Sequence, residues 1–484
     1  MSQYAPPSVS VDVLNNPRII SNVTGLRLLA IVGLGPMVRN VIDEAVTRGT
    51  GSTDNLSVYA SSGCSLTQVA SIPGINAGAP NAILVSSGGQ LYQQASASLS
   101  DAGQITWVGS GQDVPTSGAT YYVKYTYNVP ASQFSPSTYS DKSVIQSKFG
   151  KESNQSGILT IGGSIALENG APEVVMVQAS GSAFNVSAYQ AAIDKLQKLS
   201  NIEQIAVVFP SGSVTKAQQE TVLNYAYSHT QYCNTIGRDR GIVSGSPSPY
   251  YTSDGFDTIG DTGTPGTYLY RSNALKSADH CYMVPSRVRR YDQDGNLIEL
   301  DGNFLAIAVA GLESAQLLRS TPLNGFTISG VVLEDDKWQP AEENQLGGGN
   351  CTVIQSVSGN VTIRDWLTTD PTSADTQEPT VRAIRRLVRR TLSTGLYNAY
   401  TNKGLTILPE TPSNVAATTA ALLQSLVSIT ELKAYGKQDD ASTGETKISA
   451  QQDSAEPRRI NVTCSVAYAY PLKWISVTVS TYVG

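Results

Sequence analysis

The chain is poor in histidine, cysteine and charge, and each shortage closes a class of function. Only two histidines, His229 and His280, occur in 484 residues. HExxH, CxxC, GxSxG and P-loop patterns are absent, so the common motifs for a metal site, a redox dithiol, a nucleophile elbow and a phosphate cradle are missing. Five cysteines (Cys64, Cys233, Cys281, Cys351 and Cys464) are isolated and odd in number. They read as reduced thiols of an intracellular product, not as a disulfide framework. Charged residues make up 15% of the chain, against about 25% in an average soluble domain. A net charge of −6 argues against affinity built on phosphate neutralisation. No basic-then-apolar leader opens the sequence. The most apolar run, Leu26 to Val38, is too short to span a bilayer and contains Gly33, Gly35 and Pro36.

Motif fragments fall short of chemistry. Gly33-Leu34-Gly35 after an apolar strand resembles half a dinucleotide-binding turn, but position 38 is valine and Pro36 sits where a helix should start. Asp261-Thr262-Gly263 echoes an aspartic-protease tripeptide without its apolar strand or a second copy. Asp292-x-Asp294-Gly295 places glycine two positions early for a calcium loop and lacks the closing glutamate, so a hairpin turn explains it better. His229 shares a helix face with Val222 and Tyr225, which favours packing. The residues assemble no nucleophile, base and oxyanion donor, and the chain is expected not to be an enzyme and to need no cofactor or metal.

What is present is alternation. Ile460, Val462, Cys464, Val466, Tyr468 and Tyr470 fall on one face of a strand, and Ile475, Val477 and Val479 alternate with serine and threonine in WISVTVSTYV. Near the start, Val9, Val11 and Val13 alternate with Ser8, Ser10 and Asp12. Both termini are therefore candidate donor strands for a neighbour's sheet edge; the alternative is an ordinary sheet closed by its own termini. Residues 50–185 read as short alternating strands, with Gly88-Gly89 and Asn169-Gly170 as hairpin dipeptides, and suggest an inserted sandwich or barrel. From Ser187 the period changes. A helix, the apolar strand 202–209, a helix with a Thr215/Gln218 capping box and the strand from Gly241 make a β-α-β crossover. Residues 245–280 are loop-rich, and an apolar helix begins near Asn303. Next come two strands around Ser358-Gly359, a helix from about 380 to 400, and a second helix over 414–435 after Ser413. The first of these helices carries Val381, Ile384, Val388 and Leu392 on one face. Five arginines, Arg382, Arg385, Arg386, Arg389 and Arg390, crowd the rest. In an acidic chain this row suggests either a solvated face with local ion pairs or a contact with an acidic partner.

Taken together, NFLAIAVAGLESA, GGGNCTVIQSVSGNVTIRDWLTT, the arginine helix VRAIRRLVRRTL, the capped helix and the closing strands resemble the contractile tail sheath proteins of myophages. The resemblance is clearest over 300–484; residues 50–185 match in position only, as the variable outer insertion. It implies a mixed α+β fold: an α/β core, strand-donating arms at both ends and an inserted β-rich outer domain. The expected divisions are an arm at 1–22, a β-rich outer domain at 23–185, an α/β segment at 186–300 with a loop-rich insertion at 245–285, an inner core at 301–471, and an arm at 472–484. It further implies a subunit that polymerises as stacked hexameric rings around a tail tube and contracts to drive the tube through the host envelope. Partners would be other copies of the chain, the tube protein, and baseplate and neck or terminator proteins, with no direct nucleic acid and no membrane insertion. The place would be the virion tail, after assembly in the host cytoplasm. Val9, Val11 and Val13 would belong to one linking strand and Ile475, Val477 and Val479 to the other, with the arginine helix facing the tube. A second reading is a β-rich receptor-binding or baseplate protein of a phage particle.

Overall fold

The computed structural model describes residues 27–56, 64–70, 91–92, 97–100, 103–108, 114–129, 134–153, 157–210, 212, 214–246, 259–263, 265, 267–284, 288–333, 338–400, 407–427, 432–435, 448–464 and 466–468. The chain enters on β1 (Leu28–Leu34), every residue of which is buried. It then leaves for an inserted domain made of β2 (Val38–Thr47), β3 (Thr53–Asn55), β4 (Ser65–Ala70), β5 (Leu91–Tyr92), β6 (Ala97–Leu99), β7 (Gln104–Trp107) and β8 (Thr120–Asn128). These form a four-stranded sheet, β2-β8-β4-β5, and a three-stranded sheet, β3-β7-β6. β8 alternates strictly, with Tyr121, Val123, Tyr125 and Tyr127 buried, as a strand with one covered face must. The Asp54 carboxylate ties this core together by accepting from Trp107 Nε1 and Tyr121 Oη, both at 2.9 Å.

The chain returns through β9 (Ser137–Tyr139), α1 (Lys142–Phe149) and α2 (Ile158–Glu168) to β10 (Val174–Ala179). Then come α3 (Val186–Asp194), β11 (Ile202–Val207), α4 (Lys216–Thr235), β12 (Gly241–Gly245), α5 (Tyr268–Ala274) and β13 (His280–Val284). A hairpin, β14 (Val288–Tyr291) and β15 (Leu297–Leu300), precedes α6 (Gly302–Ala315), β16 (Val332–Leu333), α7 (Pro340–Gly348), β17 (Thr352–Val357) and β18 (Asn360–Asp365). The central sheet has the order β18-β17-β13-β12-β11-β1-β10-β9. Its six inner strands pair in parallel, and the antiparallel pairs lie at the two edges. Helices α2 and α6 cover one face, and α3 and α4 the other. This is a doubly wound α/β layer, and the parallel β11-α4-β12 crossover is the one expected from the sequence, with its Thr215/Gln218 capping box in place. The last third carries α8 (Ala374–Gln377), α9 (Pro379–Ala399), α10 (Thr411–Val427), β19 (Leu432–Tyr435), β20 (Ile448–Gln452), β21 (Ile460–Cys464) and β22 (Val466–Tyr468).

The mixed α+β architecture agrees with the sequence reading, and three local expectations are corrected. Residues 158–168, taken with the outer strands, form α2, because nine of its eleven residues are buried and a helix enclosed on all sides shows no period. Asn169-Gly170 is the end of that helix, with Gly170 at φ 87°, and not a hairpin. The β-rich inserted unit accordingly runs from Val38 to about Asn128; β1 and residues 137–179 belong to the central sheet and its helices. The helix expected over 414–435 ends at Val427, and Leu432–Tyr435 pairs instead with β22. Asp294-Gly295 and Ser358-Gly359 are hairpin turns as expected, with Gly295, Ser358 and Gly359 at positive φ.

Candidate functional site

The strongest charged feature of the sequence lies inside the molecule. Pro379 occupies the first turn of α9, where its missing N–H costs nothing. Val381, Ile384, Val388 and Leu392 then pack on Leu423 and Leu426 of α10 and Val466 of β22, in a small core separate from that of the α/β layer. The arginine face turns the other way, towards the amino ends of the parallel strands. Arg382 is enclosed, with Nη2 donating to Glu313 Oε2 at 2.9 Å and Nη1 to Cys281 Sγ at 2.9 Å. Arg386 donates to Asp279 Oδ1 at 2.8 Å and to the Glu203 carbonyl at 3.2 Å. Arg385 reaches the same Asp279 oxygen at 3.3 Å. Arg389 pairs with Asp239 at 2.8 Å, and Arg390 donates to the Asp239 carbonyl at 3.1 Å. Arg319 adds a fork onto Glu203, at 3.3 and 3.1 Å. Gly241 is required here, since a Cβ would lie 2.0 Å from Arg386 Nη2 and 2.6 Å from the Asp279 carbonyl.

Four carboxylates thus meet the helix: Glu203 in β11, Asp239 before β12, Asp279 before β13, and Glu313 near the end of α6. Burial alone would raise the Glu203 and Asp279 carboxyls. The arginines outweigh it, Arg319, Arg27 and Arg390 at Glu203 and Arg386, Arg385 and Arg382 at Asp279, and hold both below the usual range. At Asp239 burial wins, with Asp279 adding repulsion, and its carboxyl is raised in spite of Arg389. The helix is therefore a coupler: ionic on the α/β side and apolar on the side of the C-terminal unit. The five arginines come together as one row, but the chain neutralises them from within. Only Arg385, Arg389 and Arg390 keep partly exposed edges that a partner could reach. The acids were missed in the sequence although a signal exists: Glu203 and Glu313 each interrupt an apolar run, and a carboxylate buried in such a run calls for a cation.

Other reactive groups are held inert. His229 Nε2 lies 3.5 Å from Cys233 Sγ, and His229 Nδ1 is 3.8 Å from Asp194. The order is that of a thiol triad. Burial, with Arg240 beside it, pushes the imidazole down to about 4, and burial pushes the Cys233 thiol up, so the ion pair that makes a thiolate nucleophile does not form. The Cys281 thiol is pushed up to about 11 by burial, despite Arg382. His280 is buried against Ser244 Oγ at 2.7 Å and pushed down to about 3 by burial. The switch point between β1 and β11, where doubly wound sheets take ligands, is closed by the chain. A Cβ on Gly33 would meet Val208 at 2.5 Å, and no helix follows the GxG turn, which runs directly into β2. Among the described residues no group of three or more potential metal ligands occurs, and no helix is long and apolar enough to cross a membrane.

Val9, Val11, Val13, Ile475, Val477 and Val479 lie outside the described residues. The alternation read at 460–468 pairs within the chain, β21 on β20 and β22 on β19, with Ile460, Val462 and Cys464 half-buried and Asn461 and Thr463 exposed. Each of these four strands has a single neighbour among the described residues.

No protein-family model matches the chain, and no curated protein does. Solved structures share its fold. A chain of the cryo-EM structure of the anti-feeding prophage helical sheath in the contracted state superposes with a TM-score of 0.55 at 10% identity, over 99% of both chains. A chain of the PVC sheath complex, an extracellular contractile injection system in the contracted state, gives 0.50 at 13% identity over 72% of this chain and 86% of that one. A chain of the six-fold symmetrised anti-feeding prophage baseplate structure gives 0.50 at 12% identity over 99% and 100%. The sheath resemblance read from the sequence thus meets the sheath fold in three dimensions.

Proposed function

We propose that the chain is a structural subunit of a contractile tail sheath. It would polymerise as stacked hexameric rings around a tail tube and shorten to drive that tube through a host envelope. The observation that carries this reading is end-to-end agreement with the fold of a helical sheath chain, covering outer domain, α/β layer and C-terminal unit together. Strand addition from neighbours would keep subunits connected while side-chain interfaces exchange. The linking strands would contain Val9, Val11 and Val13 at one end and Ile475, Val477 and Val479 at the other. Contraction would draw on new burial and polar contacts multiplied over identical copies, without hydrolysis or a cofactor. Partners are further copies, the tube, the baseplate and the neck or terminator proteins. The setting is a phage tail built in the host cytoplasm. Contact with the tube is assigned to the outer edges of Arg385, Arg389 and Arg390.

Negative-stain electron microscopy of the purified protein at rising concentration tests the reading. Long, hollow, striated tubes are expected. Compact particles at every concentration, unchanged by added tail tube, would overturn it. They would favour the second reading, a structural protein of the baseplate, which the match to a chain of a baseplate structure makes specific.

A further inference from the structure

At the carboxyl ends of β12 and β13, between α4 and α5, lies a cavity of about 130 Å³. Gln219, Glu220 and Asn224 of α4 and Arg271 of α5 supply polar groups, and Leu223 and Leu275 supply apolar ones. The charges in its wall are already matched, because Arg271 Nη1 pairs with Glu220 Oε1 at 3.0 Å. Gln219 is 4% exposed, and its amide oxygen accepts no hydrogen bond from the described residues. A buried acceptor without a donor is costly, and native interiors rarely leave one.

A side-chain amide offers an acceptor and a donor side by side in one plane. The group that complements it carries the same pair in reverse order. A carboxylate lacks the donor, an ammonium lacks the acceptor, and either would unbalance the Arg271–Glu220 pair. Water could meet the amide but would leave the Leu223 and Leu275 wall wet. At about 30 Å³ per water, the space equals roughly four waters, enough for a head group and a short apolar body. We propose that this cavity binds a primary carboxamide, either a small free amide or the Asn or Gln side chain of a neighbouring copy, paired with Gln219. The site is independent of the α9 ionic layer and of the sheath reading.

Propionamide is the probe, with n-propanol and propionate as controls of equal length, followed by thermal shift on the full chain. Propionamide should raise the unfolding midpoint saturably, with half-saturation in roughly the millimolar range that about five heavy atoms allow. Both controls should have little effect. Gln219→Leu, of similar volume, should abolish the response, and Gln219→Glu, which keeps an acceptor and loses the donor, should weaken it several-fold. Equal responses in wild type and Gln219→Leu, or a propionamide-soaked crystal with only water on Gln219 Oε1, would overturn the proposal. Polymer assembly separates the two sources. Inhibition of wild-type assembly by propionamide, mimicked by Gln219→Leu without the probe, assigns the site to a neighbour's side chain. Unaltered assembly, with probe binding intact, assigns it to a free amide.

Discussion

Asp301 is a carboxyl group held by donors rather than by cations. It caps α6, accepting from Asn303 N at 2.9 Å and Asn303 Nδ2 at 3.1 Å, while Asn303 Oδ1 accepts from Gly245 N at 3.1 Å. The cap therefore fixes the amino end of the most enclosed helix to the end of β12. Burial pushes the Asp301 carboxyl up to about 7, against those hydrogen bonds. The sign follows from linkage: between the ordinary carboxyl range near pH 4 and pH 7, the folded state keeps a proton that the unfolded state releases. Stability from this group falls as pH rises through that window and levels off above it. Glu203 and Asp279, held low, act in the opposite sense; their contribution is present above the ordinary carboxyl range and is lost as pH falls below it. Asparagine caps a helix as well as aspartate does. Asp301→Asn gives up the bond from Asn303 Nδ2 at every pH, yet its stability relative to the wild type should improve by about 1–3 kcal/mol between pH 4 and pH 8. Calorimetry of both proteins at the two pH values checks it; an equal difference at both would show that the cap's charge is not the cause.

At the scale of the element, α9 decides how the C-terminal unit is held. Breaking one buried pair strands the other charge, so Arg382→Met should cost about 3–5 kcal/mol in urea unfolding, through Glu313. Adding Glu313→Leu should restore part of that loss, because two apolar groups replace two charges while Gln204 Nε2 loses the acceptor it holds at 2.8 Å. If the double variant were no better than the single, the pair would not be the source of the cost. The same layer changes how a tube contact must be probed. Reversing charge at Arg385 or Arg389 would set a carboxylate beside Asp279 or Asp239 and unsettle the subunit itself. Arg385→Gln with Arg389→Gln is the milder pair. It should weaken assembly on tubes while tube-free polymers still form, as sedimentation with and without tube would measure. The helix, its apolar face, the Thr215 capping box and the two hairpin turns were legible because each rests on local spacing. Helix α2 was not, since an element buried on every side shows no period, and neither were the acids under α9, whose partners lie far off in sequence. That His229 packs was legible from the helix face it shares with Val222 and Tyr225; that it lies 3.5 Å from Cys233, with burial setting both proton affinities, was not.

At the scale of the whole molecule, the β-rich domain is an insertion between β1 and the rest of the central sheet. Its two crossings lie side by side: Val38 pairs with Asn128, and Val129 N donates to Met37 O at 2.8 Å. The domain buries a core of its own, distinct from that of the α/β layer. Its ties to the layer include Arg39, which donates to Gln178 Oε1 at 2.7 Å and lies over the Phe149 ring. A domain entered and left at neighbouring points can be removed without stretching the chain, and loop closure then costs little. Replacing residues 38–128 by a short glycine-serine linker should leave a folded α/β layer and C-terminal unit. Those parts carry the parallel sheet, the ionic layer and the C-terminal strands. If subunits are joined through their arms, the shortened chain should still form hollow tubes, thinner in outer diameter, whereas removing 1–14 or 472–484 from the full chain should leave a folded subunit that no longer polymerises. Electron microscopy compares the three. Tubes lost with the outer domain but kept without both arms would place the joints on the outside of the particle, and the sheath reading would then lose its account of how the subunits stay connected.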